Sequence, residues 1–472
     1  MKQFKRIGLL IALMTSATFH VWSQPVYNSL TLNLHVADTV EKTIIREVSY
    51  PISISYVETP TEHLFVYHSN NGNQMTKVFI VSDLSVNDFV IENDTVFFCG
   101  TNTSTNVGFV GHFWIGQFFQ ASHLYSVTDF PFQTSTGLVR SFDKMVTFVQ
   151  NGVRILAAVG MSSMGPYVSS EIQYFPANSI CYFTTGELYP AQTERIYDII
   201  LTNHHVVTSG FKEVFSGQAA TYGPILNFRV YPRNSMFAVG GPQDICQYVF
   251  PNVSVSADPT RFVGNQIVTS HMQADSFAVA TYLYNNNTLN FEGAFMSIFD
   301  INSNFMLDSL GAKRTYQTYT NGGWKLRGLT PLNASSRFYL LQYAEETSTG
   351  QLIDMVTELT TSLVCAPYVT VPILPSRVIP HTELRSIDAS SNSVGFVSNG
   401  KDESIPYYLK FHDATLNATQ CFLTSQLYYY TFPFKTSTIT DAFNMCQGAG
   451  SSFQNHYGFQ IMEIPMIECS EE

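Results

Sequence analysis

Residues 86–100, VNDFVIENDTVFFCG, recur without a gap as residues 196–210, IYDIILTNHHVVTSG. Asp88 aligns with Asp198, and the positions around them keep their apolar or polar character. In each copy a β-rich run meets a polar turn, and a second β-branched or aromatic run follows. The stretch therefore predicts a β-hairpin, and its recurrence indicates a repeat architecture.

The ends of this hairpin are predicted from its turn-forming residues. Asn93 and Asn203 occupy the polar turn in the two copies, where a positive φ is tolerated. Gly100 and Gly210 close the copies, so each second strand is expected to stop there.

Around the hairpin, the chain continues as short β-rich runs separated by polar turns. Residues 107–118 and 123–127 supply a third and a fourth strand after the first copy. Such cycles are counted by their third strands, which are residues 77–81, 107–118, 171–175, 225–231, 295–299, 352–358 and 407–411. Four antiparallel strands form one propeller blade, whose two apolar faces are buried against neighbouring blades. We therefore predict an all-β protein, a β-propeller with seven blades of four antiparallel strands, closed by pairing residues 30–36 with residues 460–464.

The first residues predict export. Lys2, Lys5 and Arg6 precede the apolar residues 7–14, and a small-residue region follows. This pattern is typical of a secretory signal peptide, here residues 1–24, and the alternative is a buried N-terminal strand or helix. Residues 25–472 then form a single β-propeller domain, periplasmic or at the cell surface. Since no later apolar run reaches about 18 residues, no transmembrane segment is expected.

The composition restricts the class of partner. The chain has 24 Lys and Arg against 36 Asp and Glu, a net charge of −12, and contains no basic run. Nucleic acid is therefore a poor candidate. Charged residues are 13% of the chain while it contains 26 Tyr and 37 Phe, which favours strands. The seven cysteines include no CxxC pair, so a zinc or redox site is unsupported. They are either disulfides of an exported protein or buried thiols.

Taken together, the repeat resembles a family. The pattern apolar-x-Asp-apolar, a turn, three β residues, x, Gly and then Gly-x-Phe resembles secreted bacterial β-propeller repeat proteins of Gram-negative anaerobes. Only the copies that contain Asp88 and Asp198 match this pattern closely. The resemblance implies a propeller and an exported protein, and it implies little about chemistry because such proteins are uncharacterised.

Several polar residues are candidates for a site in the channel. Asp88, Asp198 and Arg385 could line it and bind a sugar or a cation. The alternative is structural, because a polar residue that recurs at one repeat position often fixes a turn or binds backbone N–H groups. His204 and His205 could be metal ligands, but adjacent residues point in opposite directions on a strand, so turn residues are expected and no metal or other cofactor is predicted.

Two functions follow from this pattern. The first is a binding or scaffold propeller for a protein, a glycan or an envelope component, in which loops on a disc face make the contacts. Met161, Met164 and Tyr167 flank or lie in residues 162–170, interpreted as such a loop, and are candidates for a contact patch.

The alternative is a propeller enzyme that acts on glycans with carboxylates at the channel mouth. An enzyme should present non-repeated charged residues at equivalent ends of different blades. The residues considered for that role are Arg140, Asp143, Arg327, Arg385 and Asp388. They share no sequence motif, which favours binding over catalysis.

Overall fold

The structure is a computed structural model. It describes residues 28–32, 42–49, 52–69, 75–120, 123–129, 133–134, 137–150, 152–164, 167–176, 181–183, 192–214, 225–233, 243–250, 261–271, 274–285, 291–301, 307–316, 325–331, 337–345, 352–360, 365–373, 382–389, 393–400, 407–413, 428–431, 437–443, 447–448, 454–458, 460–461 and 466–468. The predicted signal peptide lies outside these residues. No helix among them is long and apolar enough to span a membrane.

Antiparallel strands make up nearly all of the described chain. The first half contains β1 (Asn28–Leu32), β2 (Lys42–Ser49), β3 (Ile52–Glu58), β4 (His63–Ser69), β5 (Met75–Ile80), β6 (Leu84–Glu92), β7 (Thr95–Asn102), β8 (Val107–Trp114), a 3₁₀ turn (Ile115–Phe119), β9 (His123–Asp129), β10 (Gln133–Thr134), β11 (Gly137–Gln150), β12 (Val153–Met164), β13 (Tyr167–Pro176), β14 (Cys181–Phe183), β15 (Gln192–Leu201), β16 (His205–Val214), β17 (Ile225–Pro232) and β18 (Gln243–Phe250).

The second half continues in the same way. It contains β19 (Arg261–His271), β20 (Ser276–Asn285), β21 (Phe291–Ile301), β22 (Leu307–Tyr316), β23 (Lys325–Pro331), β24 (Arg337–Glu345), β25 (Leu352–Thr360), β26 (Cys365–Ile373), β27 (Thr382–Ala389), β28 (Ser393–Gly400), β29 (Tyr407–Asp413), β30 (Tyr428–Thr431), β31 (Ser437–Phe443), β32 (Gln447–Gly448), β33 (Gln454–Gly458), β34 (Gln460–Ile461) and β35 (Met466–Glu468). The described residues contain no α-helix, so the prediction of an all-β fold is confirmed for them.

Consecutive strands pair in groups that begin with β2, β6, β11, β15, β19, β23 and β27. The groups β11–β14 and β15–β18 are joined into one sheet by a single parallel pairing, Ser169 with Glu194. The first strands contact one another in an unbroken cycle, from β2 through β6, β11, β15, β19, β23 and β27 back to β2. Antiparallel sheets placed radially around such a ring form the arrangement of a β-propeller.

The core lies between neighbouring sheets. Phe65 of β4 contacts Phe89, Phe98 and Phe113 of the next sheet edge to face, with ring centroids 5.0 to 5.5 Å apart. None of the four is more than 2% exposed. Each such pair adds about 0.5–1.5 kcal/mol beyond the burial of apolar area. The aromatic residues of one sheet therefore fix its position against the next.

The hairpin of residues 86–100 has the predicted turn. Asn93 and Asp94 have φ values of 49° and 59°, as a two-residue type I′ turn requires. Asn203 also lies in a turn, but it is not among the residues with positive φ. The predicted strand ends are wrong, because β7 continues past Gly100 to Asn102 and β16 continues past Gly210 to Val214.

The ring closes with a different pair of strands from the one predicted. N-terminal strand β1 lies between β29 and β35, so that Leu30 pairs with Leu409 on one side and with Met466 on the other. Residues 460–461, which we expected beside β1, pair instead with Val78 and Phe79 of β5. The two ends of the described chain therefore pair in one sheet, as predicted, but the C-terminal strand that pairs with β1 is β35.

The C-terminal strands form a belt. We use this name for β30 to β35, each of which pairs antiparallel with the outermost strand of another sheet. In chain order, the partners are β22, β18, β14, β9, β5 and β1. The belt thus visits the sheets in the reverse of their order along the chain. Among the described strands, the sheet β23–β26 is the one to which the belt adds no strand.

Candidate functional site

The first strands of the sheets share a local irregularity. All seven have a shift in register against the second strand, which places an extra residue in the first strand. In β2 this residue is Val48, next to the last residue of the strand. The β-bulges of the other six lie nearer the start or the middle of the strand. The residues at these β-bulges are Asn87, Arg140, Asp143, Tyr197, Asn265, Gln266, Arg327 and Arg385. We call them the bulge ring. A bulge re-aims a side chain and is common beside functional sites.

The recurring glycines explain why the bulges form where they do. Gly100 pairs with Val86, the residue before the bulge at Asn87. A Cβ on Gly100 would lie 1.9 Å from the carbonyl oxygen of Ser85, and a Cβ on Gly160 would lie 2.1 Å from that of Ser141. Glycine is therefore required beside these bulges, and it does not mark a strand end.

The first strands of three neighbouring sheets, β2, β6 and β11, run in the same direction. Lys42 at the start of β2 contacts Ser85 and Asn87 near the start of β6, whereas Arg46 further along β2 contacts Asp88. Asn87 in turn contacts Phe142 of β11. A residue further along one of these strands thus contacts a residue further along the next. We call the end at which the first strands begin the entry end.

A polar network joins three sheets at the entry end. The Lys42 ammonium lies 3.2 Å from Glu58 and donates to Asn87 Oδ1 at 2.8 Å. Ser85 donates to Glu58 at 2.8 Å. Asn87 Nδ2 donates to the Phe142 carbonyl at 2.9 Å. This network holds one bulge residue in place from both neighbouring sheets.

The network continues to the next bulge. Asp143 accepts a hydrogen bond from Ser141 at 2.9 Å, and its Oδ1 lies 3.5 Å from Asn87 Nδ2. Asp143 and Tyr197 are both partly exposed, and Arg140 is exposed. Carboxylate, guanidinium, amide and phenol groups are therefore available near one end of the ring.

Asp88 is the residue after a bulge, and it is buried. Its Oδ1 lies 2.5 Å from Arg46 Nη2, and its Oδ2 accepts the Met145 backbone N–H at 3.0 Å. Lys144 is 3.9 Å away. These contacts join β2, β6 and β11, so Asp88 links neighbouring sheets and does not face open solvent in the channel.

The other two channel candidates hold related positions. Asp198 follows the bulge at Tyr197, is buried, and accepts the backbone N–H of Ile199 at 3.0 Å. Arg385 is itself a bulge residue, between Leu384 and Ser386 of β27. Its assignment to the channel mouth stays a prediction.

The proposed contact patch lies on a hairpin. Met161 and Met164 belong to β12 and Tyr167 begins β13, with Met164 paired to Tyr167. Our interpretation of residues 162–170 as a long polar loop is wrong, because β12 continues to Met164 and β13 begins at Tyr167. Since β12 ends where β11 begins, this turn lies at the entry end. Its role in binding stays a prediction.

A second polar cluster lies at the opposite end of the ring. His204 Nδ1 and His205 Nδ1 lie 2.7 Å and 3.1 Å from the two oxygens of Asp275, which belongs to the turn before β20. The expectation that the two rings point apart is wrong, because the turn after β15 directs both toward one carboxylate. Burial lowers the pKa of His205. Burial opposes ionisation of Asp275, but hydrogen bonds from His204 and Thr202 hold its pKa well below the ordinary range.

No metal centre is evident in the described part of the chain. No group of three or more His, Cys, Asp or Glu side chains among those residues could hold an ion. Cys99 is a free, buried thiol, and burial raises its pKa, with Asp88 and Asp143 raising it further. It therefore behaves as a small apolar side chain.

Known proteins offer little further guidance. No protein-family model matches the chain, and no characterised protein matches it at the sequence level. Among solved structures, the chain is similar to Drosophila Semaphorin 1b, extracellular domains 1–2, with 10% identity, 82% of this chain and 86% of that chain covered, and a TM-score of 0.40.

Two further solved structures are from enzymes. Penicillium chrysogenum alpha-L-arabinanase, complexed with arabinobiose, has 8% identity, covers 83% of this chain and 99% of its own, and gives a TM-score of 0.36. The phage phi92 endosialidase has 7% identity, covers 87% and 72%, and gives 0.39. Because all three TM-scores lie below 0.5, the similarity supports no assignment of activity.

Proposed function

We propose that this chain is an exported, single-domain β-propeller of seven four-stranded blades that binds a glycan at the entry end of its channel. The blade count rests on two observations. The seven first strands form an unbroken cycle, and each first strand belongs to a group of four paired strands. Export rests on the pattern of residues 1–24. The observation that carries the binding site is the bulge ring.

The bulge ring has the chemistry that a sugar needs. Asn87, Asp143 and Arg140 offer amide, carboxylate and guanidinium groups, which match the paired donors and acceptors of vicinal hydroxyls. Tyr197 adds an aromatic ring, whose apolar face can pack on the C–H face of a pyranose. Met164 and Tyr167 pair with each other at the same end of the ring, and in this proposal they contribute further contacts to the glycan.

Cleavage of the bound glycan is the second candidate. An enzyme needs charged residues at equivalent ends of different blades. Four of the five residues considered from the sequence, Arg140, Asp143, Arg327 and Arg385, are bulge residues. Asp143 and Glu58 place two carboxyl groups in one network, the minimum for general acid and base chemistry on a glycosidic bond.

Binding to an oligosaccharide array tests the proposal, with wild type compared with a Tyr197→Ala and Asp143→Asn double variant. We expect at least one glycan to bind wild type and to be lost from the double variant at an unchanged melting temperature. Asp94→Asn, an exposed change at the opposite end of β6, is the control and should bind normally. A wild type that binds no glycan would overturn the proposed function.

The same samples separate binding from cleavage. Bound glycans are incubated with the protein, and new reducing ends are measured over time. Products formed by wild type and not by Asp143→Asn would establish the second candidate. Intact glycans after prolonged incubation would leave binding alone.

A further inference from the structure

Ser85, near the start of β6, lies between an ammonium group and a carboxylate. The Lys42 ammonium donates to Ser85 Oγ at 2.8 Å, and this hydroxyl donates to the Glu58 carboxylate, whose oxygens lie 2.8 and 2.9 Å away. A serine hydroxyl has one proton and two lone pairs. The proton is directed at Glu58 and one lone pair accepts from Lys42, so the second lone pair is available to attack a carbon atom.

Glu58 is fixed in an orientation that suits a general base. It is buried, and the Tyr56 hydroxyl lies 2.9 Å from its Oε2. The same hydroxyl accepts the backbone N–H of Val86 at 3.0 Å and lies 3.0 Å from the Leu84 carbonyl oxygen. Burial raises the pKa of Tyr56 well above its ordinary value, and the charge of Glu58 raises it further, so the phenol keeps its proton. A nucleophile, a base and a third group that orients the base are therefore in contact, which is the arrangement that activates a hydroxyl.

Lys42 holds a positive charge beside the hydroxyl of Ser85. Its ammonium also lies 3.2 Å from Glu58 Oε2 and donates to Asn87 Oδ1 at 2.8 Å, and these contacts fix its position. A carbonyl oxygen under attack by Ser85 is separated from Oγ by one carbon atom, so the negative charge that develops on it lies close to this ammonium. A fixed positive charge at such a position stabilises the tetrahedral intermediate of acyl transfer.

Ser85 is placed to meet a ligand. It is partly exposed, as Lys42 is, and it lies two positions before the bulge residue Asn87, at the entry end. The two sheets are also joined without its hydroxyl, because Lys42 bonds to Asn87 and Arg46 bonds to Asp88. The joining of the sheets therefore does not explain why a serine occupies this position.

We propose that Ser85 is the nucleophile of an ester-hydrolysing site, with Glu58 as the general base and Lys42 as the group that stabilises the oxyanion. The substrate class is a carboxylic ester, and in particular an acyl ester of a sugar hydroxyl on a glycan bound at the entry end. This choice of glycan ester rests on the function proposed above, whereas the assignment of the nucleophile rests on the three side chains alone.

The reaction needs water as its one co-reactant. Ser85 Oγ forms a bond to the carbonyl carbon of the ester while its proton passes to Glu58. The bond between that carbon and the sugar oxygen then breaks, and Glu58 returns the proton to the departing sugar hydroxyl, which leaves the acyl group on Ser85. A water molecule attacks the acyl-serine and gives its proton to Glu58. Glu58 finally protonates Ser85 Oγ as the carboxylic acid departs, which restores the starting site.

Covalent labelling tests the nucleophile without any glycan. The full chain is incubated with a fluorophosphonate, which loses fluoride to an activated serine, and the modified residue is identified by peptide mass spectrometry. We expect labelling of Ser85 in wild type. Glu58→Gln should slow it about a hundredfold, because the amide keeps the shape of the carboxylate and does not accept the proton. Since wild type itself gives the position of the label, the result does not depend on the folding of a variant.

A second serine provides the matched control. Ser276 is also partly exposed and donates to a carboxylate, that of Asp300, at 2.8 Å, and no described lysine contacts it. Ser276→Ala should therefore be labelled at Ser85 at the rate of wild type. Ser85→Ala should lose the label at a similar melting temperature.

Hydrolysis tests the activity and its substrate. The full chain is given p-nitrophenyl acetate, a simple ester, and separately acetylated xylan, from which released acetate is measured. We expect both esters to be hydrolysed by wild type and by Ser276→Ala. The rate with Ser85→Ala should fall to that of the solution without protein.

The outcomes separate this inference from the proposed glycan site. Absence of the label, a label on another serine, or an unchanged labelling rate in Glu58→Gln would overturn the esterase site and leave the glycan site. A label on Ser85 with hydrolysis of p-nitrophenyl acetate and no release of acetate from the polysaccharide would overturn the glycan ester as substrate. The same label and hydrolysis in a protein that binds no glycan on the array would overturn the proposed function and leave the esterase site.

Discussion

The carboxylate of Asp88 is a structural residue at the centre of three sheets. Its side chain is 4% exposed, while that of Arg46 is 22% exposed. A buried carboxylate is tolerated because Arg46 and the Met145 N–H replace the hydrogen bonds of water. In the first copy of the repeat, the aspartate therefore stabilises the packing of neighbouring sheets.

Replacing Asp88 should consequently cost stability. Asp88→Ala removes the carboxylate that pairs with the Arg46 guanidinium. We expect a loss of about 2–4 kcal/mol in the free energy of unfolding, less than for a fully buried pair because Arg46 reaches solvent. Urea unfolding measures it. Asp94→Asn, exposed in the turn of the same hairpin, should change stability by less than about 0.5 kcal/mol. Equal stability of the two variants would contradict the role assigned to Asp88.

The His205 cluster predicts a loss of stability in mild acid. Burial lowers the pKa of His205 in the folded state from the ordinary 6.5, so the unfolded chain binds the proton more tightly. Stability should therefore fall as the pH drops below about 6.5. Asp275 and His204 both contact the His205 ring. The contribution of Asp275, whose pKa is also lowered, is lost only at much lower pH.

The measurement is the urea midpoint at pH 7 and at pH 5, for wild type and His205→Gln. We expect the variant to lose less stability between the two pH values. An identical loss in both proteins would assign the acid sensitivity to other histidines.

At the scale of the strand, the β-bulges determine which residues of the first strands belong to the candidate binding site. The extra residue at a bulge shifts the alternation of the strand by one position, and in β6 and β11 the extra residues include the polar Asn87 and Asp143. The glycine on the second strand allows the backbones to approach, as the 1.9 Å distance from a Cβ on Gly100 to the Ser85 oxygen shows.

Substitution of this glycine tests the element. Gly100→Ala should destabilise the chain by about 3 kcal/mol or more, because the clash is with backbone that cannot rotate away. Gly152→Ala is the matched control, since its φ of 77° is strained for alanine but nothing lies within 4 Å of the added carbon. Its cost should be about 1 kcal/mol. A smaller effect at Gly100 than at Gly152 would contradict the requirement for glycine at the bulge.

Across the molecule, the C-terminal belt connects sheets that are distant along the chain. Its strands contain two to seven residues each, and every one pairs with a sheet formed by earlier segments of the chain. The twist of a sheet turns its outermost strand away from the direction of the first, so a segment that circles the rim can pair with one sheet after another. The belt thereby covers strand edges that would otherwise be exposed.

Deleting the last 20 residues should lower the stability of several sheets together. The deletion removes β33, β34 and β35, which pair with β9, β5 and β1. We expect a lower melting temperature and faster hydrogen exchange in all three partner strands. Deletion of residues 470–472, which follow β35, is the control. An unchanged melting temperature after the longer deletion would contradict a stabilising belt.

The amino-acid sequence by itself determined the class of fold and the local chemistry of the repeat. Alternating β-rich runs, Asn93 in the turn and the repeated Asp and Gly follow from propensity and spacing, which are local properties. It did not reveal β2 or β19 as strands, because charged residues and a bulge interrupt the period of two that identifies a strand. Residues 162–170 were misinterpreted for a related reason, since small polar residues also occur in paired strands.

Only the tertiary structure decided what the repeated residues do and where the chain ends pair. The partners of Asp88 come from β2 and β11, 42 and 57 residues away in the chain, and no local pattern identifies them. The convergence of His204 and His205 on Asp275 depends on a turn of the neighbouring sheet. The belt depends on the open edges of sheets formed by other segments. Many strands of this chain have similar sequence patterns, so local sequence does not determine which of them pair. The pairing is fixed only when the sheets assemble into the ring.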